Sequence, residues 1–362
     1  MSTLPYKVIV PAGADREPWL QARRGGVGSS DVANILGVGG SSAQHVYYDK
    51  VGELPIEDDD AGEAALWGQL DEETTAREWA RRNRSTVRRI GLIARKDEPT
   101  HMCTLDRLVR ECPLARDRQE TCPLEVKHRV AFKAGQWKRS IPDDVLAQVL
   151  WQMHVTGYSH VHVACRIGGV DYRQYVIRRK DHAALLDDIV SAVARFWAEH
   201  VLARRVPALT GAENTERMLD LFEALHPDRS GIAALDGRTA VEADDQLREY
   251  ELQRLIAKRA EAAKNAAKTR LIELLHDNEG AVLWERQTRA YGWDSTTKDG
   301  EPLVRESIDM AALAEKYPDA YADCLRSKPV RRFAIERDHR LTEDDLDRFM
   351  DDDGMTAHVQ AG

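Results

Sequence analysis

Pro123-Leu124-Glu125-Val126-Lys127-His128-Arg129-Val130 alternates apolar and polar residues with a period of two. Alternate side chains of a strand share a face, so Glu125 and Lys127 point the same way. Asp106 lies 19 positions upstream, at the end of another strand-like run, Met102 to Leu105. Two carboxylates from adjacent strands can hold a hard divalent cation such as Mg²⁺, which prefers oxygen ligands and keeps waters for a phosphate. A lysine ammonium beside them can orient or help deprotonate a water, or hold a scissile phosphate. Together these groups suit metal-assisted phosphodiester hydrolysis. Taken alone, Asp-x18-Glu-x-Lys is a weak pattern, because an exposed strand with alternating charges has the same spacing.

The surroundings of this strand read as a mixed α/β core. Upstream, Thr86 to Ala94 is rich in Val and Ile and predicts a strand, and Glu63 to Asn83 has helical spacing anchored by Leu66, Leu70 and Trp79. Downstream, Ile141 to Thr156 predicts an amphipathic helix. Strands at His160–Ile167 and Val170–Arg178 flank a Gly168-Gly169 turn suited to a hairpin, and a long helix covers Asp181 to Val206. At the N-terminal end, Trp19 to Asp31 reads as a glycine-rich turn leading into a short helix, Asp31 to Leu36, capped by Ser30 or Asp31. A loop with the acidic run Glu57-Asp58-Asp59-Asp60 follows.

Three further groups extend the candidate site. Glu72, on the helix before the strands, can add a third carboxylate, or it can simply form i,i+4 pairs along that helix. Gln148 and Gln152 lie four apart on one helix face and suit phosphate or groove contacts, or form an ordinary polar face. Arg23, Ser30 and the glycine-lined turn form a natural pocket for a terminal phosphate, or a capped helix beside an exposed arginine.

The chain has 362 residues, of which 43% are hydrophobic and 31% charged. That composition predicts two globular units and excludes collagen-like, mucin-like and wholly disordered chains. No apolar run approaches the roughly 20 residues of a bilayer span. Met1 to Pro11 lacks the pattern of an export signal. Five cysteines, an odd number without a CxxC pair, point to a reducing compartment and free thiols rather than a disulfide scaffold, an iron–sulfur cluster or structural zinc. His154 and His162 have no partners at metal-ligand spacing and read as core or surface histidines. Residues 1–208 are expected to form the α/β domain, 209–240 a connection, and 241–340 a helical accessory region with a long helix (Ala243 to His276), a strand pair near Gly280 to Ala290, a helix (Ile308 to Tyr321) and a strand (Val330 to Ile335). Residues 341–362 form an acidic tail whose start has a helix-capping pattern; whether it docks on the protein, on a partner or nowhere is open at this level.

Net charge is −9, yet Arg77 to Arg139 holds 17 Lys and Arg against 8 Asp and Glu. A basic stripe in an acidic protein is compatible with phosphate binding, since the local field decides. A solvated face with scattered arginines fits the charges equally well.

Four blocks in order resemble the YqaJ and bacteriophage lambda exonuclease family of phage recombination nucleases, in the PD-(D/E)xK superfamily. They are Trp19-x3-Arg23-x6-Ser30; Trp67-Gly68-x3-Glu72-x3-Ala76-Arg77; Asp106 with Glu125-Val126-Lys127; and Ala147-Gln148-x3-Gln152-Met153-x-Val155-Thr156. The resemblance covers about residues 15 to 205. It implies a restriction-endonuclease-like core, a mixed central sheet flanked by helices, with an α-rich C-terminal extension that has no counterpart in the lambda enzyme. The implied activity is Mg²⁺-dependent degradation of linear double-stranded DNA, 5′ to 3′, with Mn²⁺ as a substitute, leaving 3′ single strands for an annealing protein. Asp106, Glu125 and the Val126 backbone carbonyl would be metal ligands, Lys127 would position the water, and Glu72 would be an auxiliary acid. Arg23, Ser30 and Thr104 would match the 5′-phosphate pocket. The family also implies a homo-oligomer in the bacterial host cytoplasm. One departure is clear: the family's Ser-Pro-Asp-Gly is Thr104-Leu105-Asp106-Arg107 here, so a cation replaces the turn glycine. Two other readings fit the residues. One is an endonuclease or nickase on the same fold, and the other is a catalytically idle DNA-binding assembly protein.

Overall fold

The computed structural model describes residues 4–56, 62–115, 120–228, 231–283, 290–292, 309–325 and 339–352. They fall into two compact units, Met1–Ser230 and Gly231–Gly362.

The first unit begins with β1 (Tyr6–Val10), α1 (Arg16–Arg24), α2 (Ser29–Ile35), α3 (Ala43–Val51) and α4 (Gly62–Asn83). Four short strands follow: β2 (Val87–Arg88), β3 (Leu92–Arg95), β4 (Met102–Thr104) and β5 (Arg107–Val109). Then come β6 (Cys122–Arg129), α5 (Asp143–Thr156), β7 (His160–Ile167), β8 (Asp171–Arg178), α6 (Ala183–Phe196) and α7 (Thr215–Leu225). The main sheet has the order β2-β5-β6-β7-β8. Only β6 and β7 pair in parallel; the other neighbours are antiparallel. A smaller antiparallel sheet has the order β1-β3-β4.

Alternation in β6 explains the layering. Leu124 and Val126 join Ala76 and Trp79 of α4 in one apolar cluster, while the opposite face presents Glu125 and Lys127 toward α5. Helix α5 belongs to the largest core cluster through Val145, Val149, Leu150, Trp151 and Met153. It starts at Asp143 and ends at Gly157, whose φ of +78° closes the helix in the left-handed region that favours glycine. Gly168 and Gly169, at φ +57° and +80°, form the β7–β8 turn anticipated from sequence.

Several elements differ from expectation. Trp19 to Arg24 is helical, so the glycine-rich turn is confined to Gly25–Gly28. Thr86 to Ala94 is two strands in two different sheets, because Gly91 interrupts it. A Cβ on Gly91 would collide with the backbone at Val10 and Pro11, so β1 can approach only a glycine. Helix α3 replaces part of the expected loop, and α7, within the stretch expected as a connection, folds onto the first unit through Met218 against Ser42. The run Glu57–Asp60 lies outside the described residues.

The turn before α2 is fastened to β4. Val27 N–H donates to the Thr100 carbonyl at 2.7 Å, and Met102 N–H donates to the Val27 carbonyl at 3.0 Å. From α5, the Trp151 indole N–H reaches the Met102 carbonyl at 2.9 Å and the Val27 carbonyl at 3.3 Å. A Cβ on Gly26 would stand 2.8 Å from the Thr100 carbonyl carbon and 2.9 Å from its Cα. Gly26→Ala should therefore push this turn off β4 and cost about 2 kcal/mol. An unchanged urea midpoint would show that the turn is loosely held.

The second unit contains α8 (Gly237–Leu275), the short pair β9 (Gly280–Ala281) and β10 (Tyr291–Gly292), then α9 (Met310–Lys316), α10 (Pro318–Cys324) and α11 (Glu343–Asp352). The helix expected over Ile308–Tyr321 breaks at Tyr317, where Pro318 starts a new helix. The strand expected at Val330–Ile335 lies outside the described residues. The acidic helix α11 docks on α8: Leu346 is buried against Leu252 and Leu255, and Glu343 pairs with Lys258 and Arg259.

Candidate active site

Asp106 occupies the turn between β4 and β5. Its Oδ2 accepts the Val126 backbone N–H at 2.7 Å, which locks that turn to the middle of β6. Glu125 is 1% exposed. Its Oε1 accepts from Lys127 Nζ at 2.5 Å and from Gln148 Nε2 at 2.6 Å, and its Oε2 accepts from Gln152 Nε2 at 2.6 Å. Lys127 Nζ also donates to Gln148 Oε1 at 2.8 Å, and Gln152 Nε2 donates to the Thr104 carbonyl at 3.2 Å. The two glutamines thus share a face, as their spacing required, and they spend that face on holding Glu125.

Glu72 arrives from α4 and is gripped by Arg107, whose other terminal nitrogen donates to Glu73 at 2.7 Å. Arg107 also donates to the Asp106 carbonyl at 2.5 Å and is 3% exposed. The residue that replaces the family's turn glycine is therefore a clasp between the sheet and α4. Glu72, Asp106, Glu125, Lys127 and Gln148 line one cleft of about 350 Å³. An adjoining cleft of about 260 Å³ shares Glu72 and Asp106 and reaches Thr104 and Trp19.

The charges in the first cleft are out of balance. Burial, and then the Glu125 carboxylate, push the Asp106 carboxyl well above the usual range; Lys127 opposes this and Glu72 adds to it. Burial disfavours the Lys127 ammonium, but Glu125 and Asp106 outweigh burial and hold its pKa above the ordinary lysine value. An all-oxygen donor set with more negative charge than one ammonium can neutralise has the chemistry of a hard divalent cation site.

Arg23 and Ser30 also meet. Arg23 Nη2 donates to Ser30 Oγ at 2.6 Å and to Asp31 Oδ1 at 2.6 Å, and its guanidinium lies 5.4 Å from the Trp19 ring centroid. Asp31 is the hub: it also accepts from the Gly28 N–H at 2.9 Å and pairs at 2.8 Å with Lys50, whose side chain is fully buried. Burial alone would raise the Asp31 pKa, but Arg23 and Lys50 bring it down to about 2.

Sequence reading missed four contributors. Asp31 looked like a cap, Lys50 lay in an expected loop, and Arg107 looked like a disruption; each has a partner distant in sequence. The fourth concerns Cys112, Cys122, His160 and His162, whose ligand atoms lie within 4.8 Å of one another, so His162 does have partners at metal-ligand distance. A linear search for CxxC spacing does not register ligands delivered by separate strands.

A mixed central sheet flanked by helices is the fold anticipated from the four sequence blocks. Residues 18–159 match the family model described as a YqaJ-like viral recombinase domain. It is 28% identical to the uncharacterized protein YqaJ of Bacillus subtilis (strain 168) over 327 residues, 89% of this chain and 94% of that protein. Among solved structures, it is similar to an alkaline exonuclease (LHK-Exo) from Laribacter hongkongensis, with 19% identity, a TM-score of 0.39 and coverage of 52% of this chain and 93% of that one. The same exonuclease in complex with dAMP matches with 21% identity, a TM-score of 0.40 and the same coverage, 52% and 93%.

Proposed function

We propose that this chain is a divalent-metal-dependent deoxyribonuclease that shortens linear duplex DNA from its 5′ ends and leaves 3′ single strands for phage recombination. The observation that carries the proposal is the convergence of Asp106, Glu125 and Lys127, with Gln148 and Gln152 fixing the last two, on one cleft. In this reading Asp106, Glu125 and the Val126 carbonyl hold Mg²⁺, or Mn²⁺ in its place, with Glu72 as auxiliary acid at the rim. The cation, when bound, neutralises the scissile phosphate and acidifies a water. Lys127, kept as an ammonium, orients that water and a phosphate oxygen. Gln148 holds the lysine in its rotamer, and Gln152 holds the glutamate. Arg23, Ser30 and Thr104 receive the terminal 5′-phosphate, and the basic stripe draws in the duplex. A single-strand annealing partner, self-association and residence in the host cytoplasm belong to the same reading. Among the described residues no helix is long and apolar enough to cross a membrane.

The test compares linear with covalently closed circular duplex in Mg²⁺, with 5′-phosphate or 5′-hydroxyl ends on the linear form. Linear DNA should be consumed and the circle spared, phosphorylated ends should be preferred, and Lys127→Ala should lower the rate at least about 10²-fold. Nicking of the circle at an equal rate would make the chain an endonuclease. Binding without cleavage in Mg²⁺ would make it an assembly protein.

A further inference from the structure

On the face of the main sheet opposite Glu125, Cys112 and Cys122 are buried in the same cluster as Trp79 of α4, whose ring lies 5.0 Å from that of His162. His160 and His162 are two apart on β7 and so share a face. Cys122 opens the neighbouring β6, and Cys112 is held in the connection after β5 by its N–H to the Glu120 carbonyl at 3.0 Å. Cys112 Sγ lies 3.1 Å from His160 Nε2 and 3.7 Å from His162 Nε2. Tetrahedral ligands at Zn–S of about 2.3 Å and Zn–N of about 2.05 Å are separated, sulfur to nitrogen, by about 3.6 Å. The two observed separations bracket that figure.

We propose that Cys112, Cys122, His160 and His162 bind one structural Zn²⁺. Two thiolates and two imidazoles are a zinc donor set, and four protein ligands leave no open position for chemistry. A two-iron cluster would place the cysteine pair and the histidine pair on different irons, whereas the 3.1 Å contact between sulfur and nitrogen belongs to ligands of one ion. The surroundings are suited to it. Ser159 Oγ lies 3.1 Å from His160 Nδ1, which directs Nε2 to the metal. A cavity of about 590 Å³ opens beside His160 and gives the ion access. The site staples the β5–β6 connection to β6 and β7, and so fixes from behind the strand that carries Glu125 and Lys127.

The experiment uses the full chain purified under reducing conditions without chelator. Elemental analysis should find about one zinc per chain, and Co²⁺ exchanged into the protein should show tetrahedral cobalt–thiolate absorption. Cys122→Ser and His160→Asn should each lower the zinc content at least fivefold and abolish the cobalt bands. Asp106→Asn should keep both, which separates this ion from one at the proposed nuclease site. Because a ligand variant can fail to fold, chelator stripping of the wild type provides an independent measurement: the melting temperature should drop and be restored by Zn²⁺ but not by Mg²⁺. Wild type without zinc or cobalt bands, variants that retain zinc, melting insensitive to stripping, or loss of two titratable thiols without metal (a Cys112–Cys122 disulfide) would each overturn the proposal.

Discussion

Asp106→Asn is expected to lower DNA cleavage by at least about 10³-fold, equivalent to about 4 kcal/mol of transition-state stabilisation, while leaving the metal-free protein as stable as wild type or more so. The two effects have one cause. The carboxyl sits beside Glu125 in a half-buried position that pushes its pKa well above the usual range, so its ionised form is a strain on the metal-free fold. A carboxyl with a raised native pKa subtracts stability at neutral pH, and the loss fades as pH falls through that raised value toward the ordinary one. Asparagine imitates the neutral carboxyl and still offers an oxygen to the Val126 N–H. The stability gap between variant and wild type should thus shrink on acidification. Mg²⁺ should raise the melting temperature of the wild type and not of the variant, because only the wild type gains ligand-linked stability. Cleavage within tenfold of wild type, or an undiminished Mg²⁺ effect, would remove Asp106 from the site.

Asp31→Asn should behave in the opposite way, losing about 3 kcal/mol of stability at pH 7. Lys50, buried and 2.8 Å from the carboxylate, would lose its best partner and keep, among the described residues, Asp49 and the Arg23 carbonyl. The Asp31 pKa is lowered from 3.8 to about 2, so its contribution is present above the ordinary value and disappears as pH falls through that window. Urea unfolding of wild type and variant should therefore diverge at pH 7 and converge toward pH 2. Since Asp31 also orients Arg23, the variant should lose preference for 5′-phosphorylated ends. Equal midpoints at pH 7 would mean that Lys50 finds water or another anion.

Period-two alternation in β6 and helical spacing in α4 and α5 were legible because each is a local repeat enforced by burial on one face. The placement of Glu125 and Lys127 on a common face, and of Gln148 and Gln152 on another, followed from the same geometry. What escaped notice was decided at a distance. Strands β1 and β5 are too short for periodicity to register and exist through their neighbours. The role of Arg107 depends on Glu72 and Glu73 of α4, which lie more than thirty residues earlier in the chain. The glutamines, read as groove contacts or a polar face, hold Glu125 and Lys127, because a side chain's partner, unlike its direction, is not written in its own segment.

Helix α5 carries Gln148 and Gln152, which grasp Glu125, and Trp151, which grasps the turn leading to Ser30. One stiff rod is thereby geared to two places at once. A tilt that loosened that turn would also slacken the grip on the acid, and in the proposed reading a DNA end seated against the turn would brace the carboxylate before any bond is cut. Recognition and readiness to cut would then rise and fall together, without a hinge or a lid.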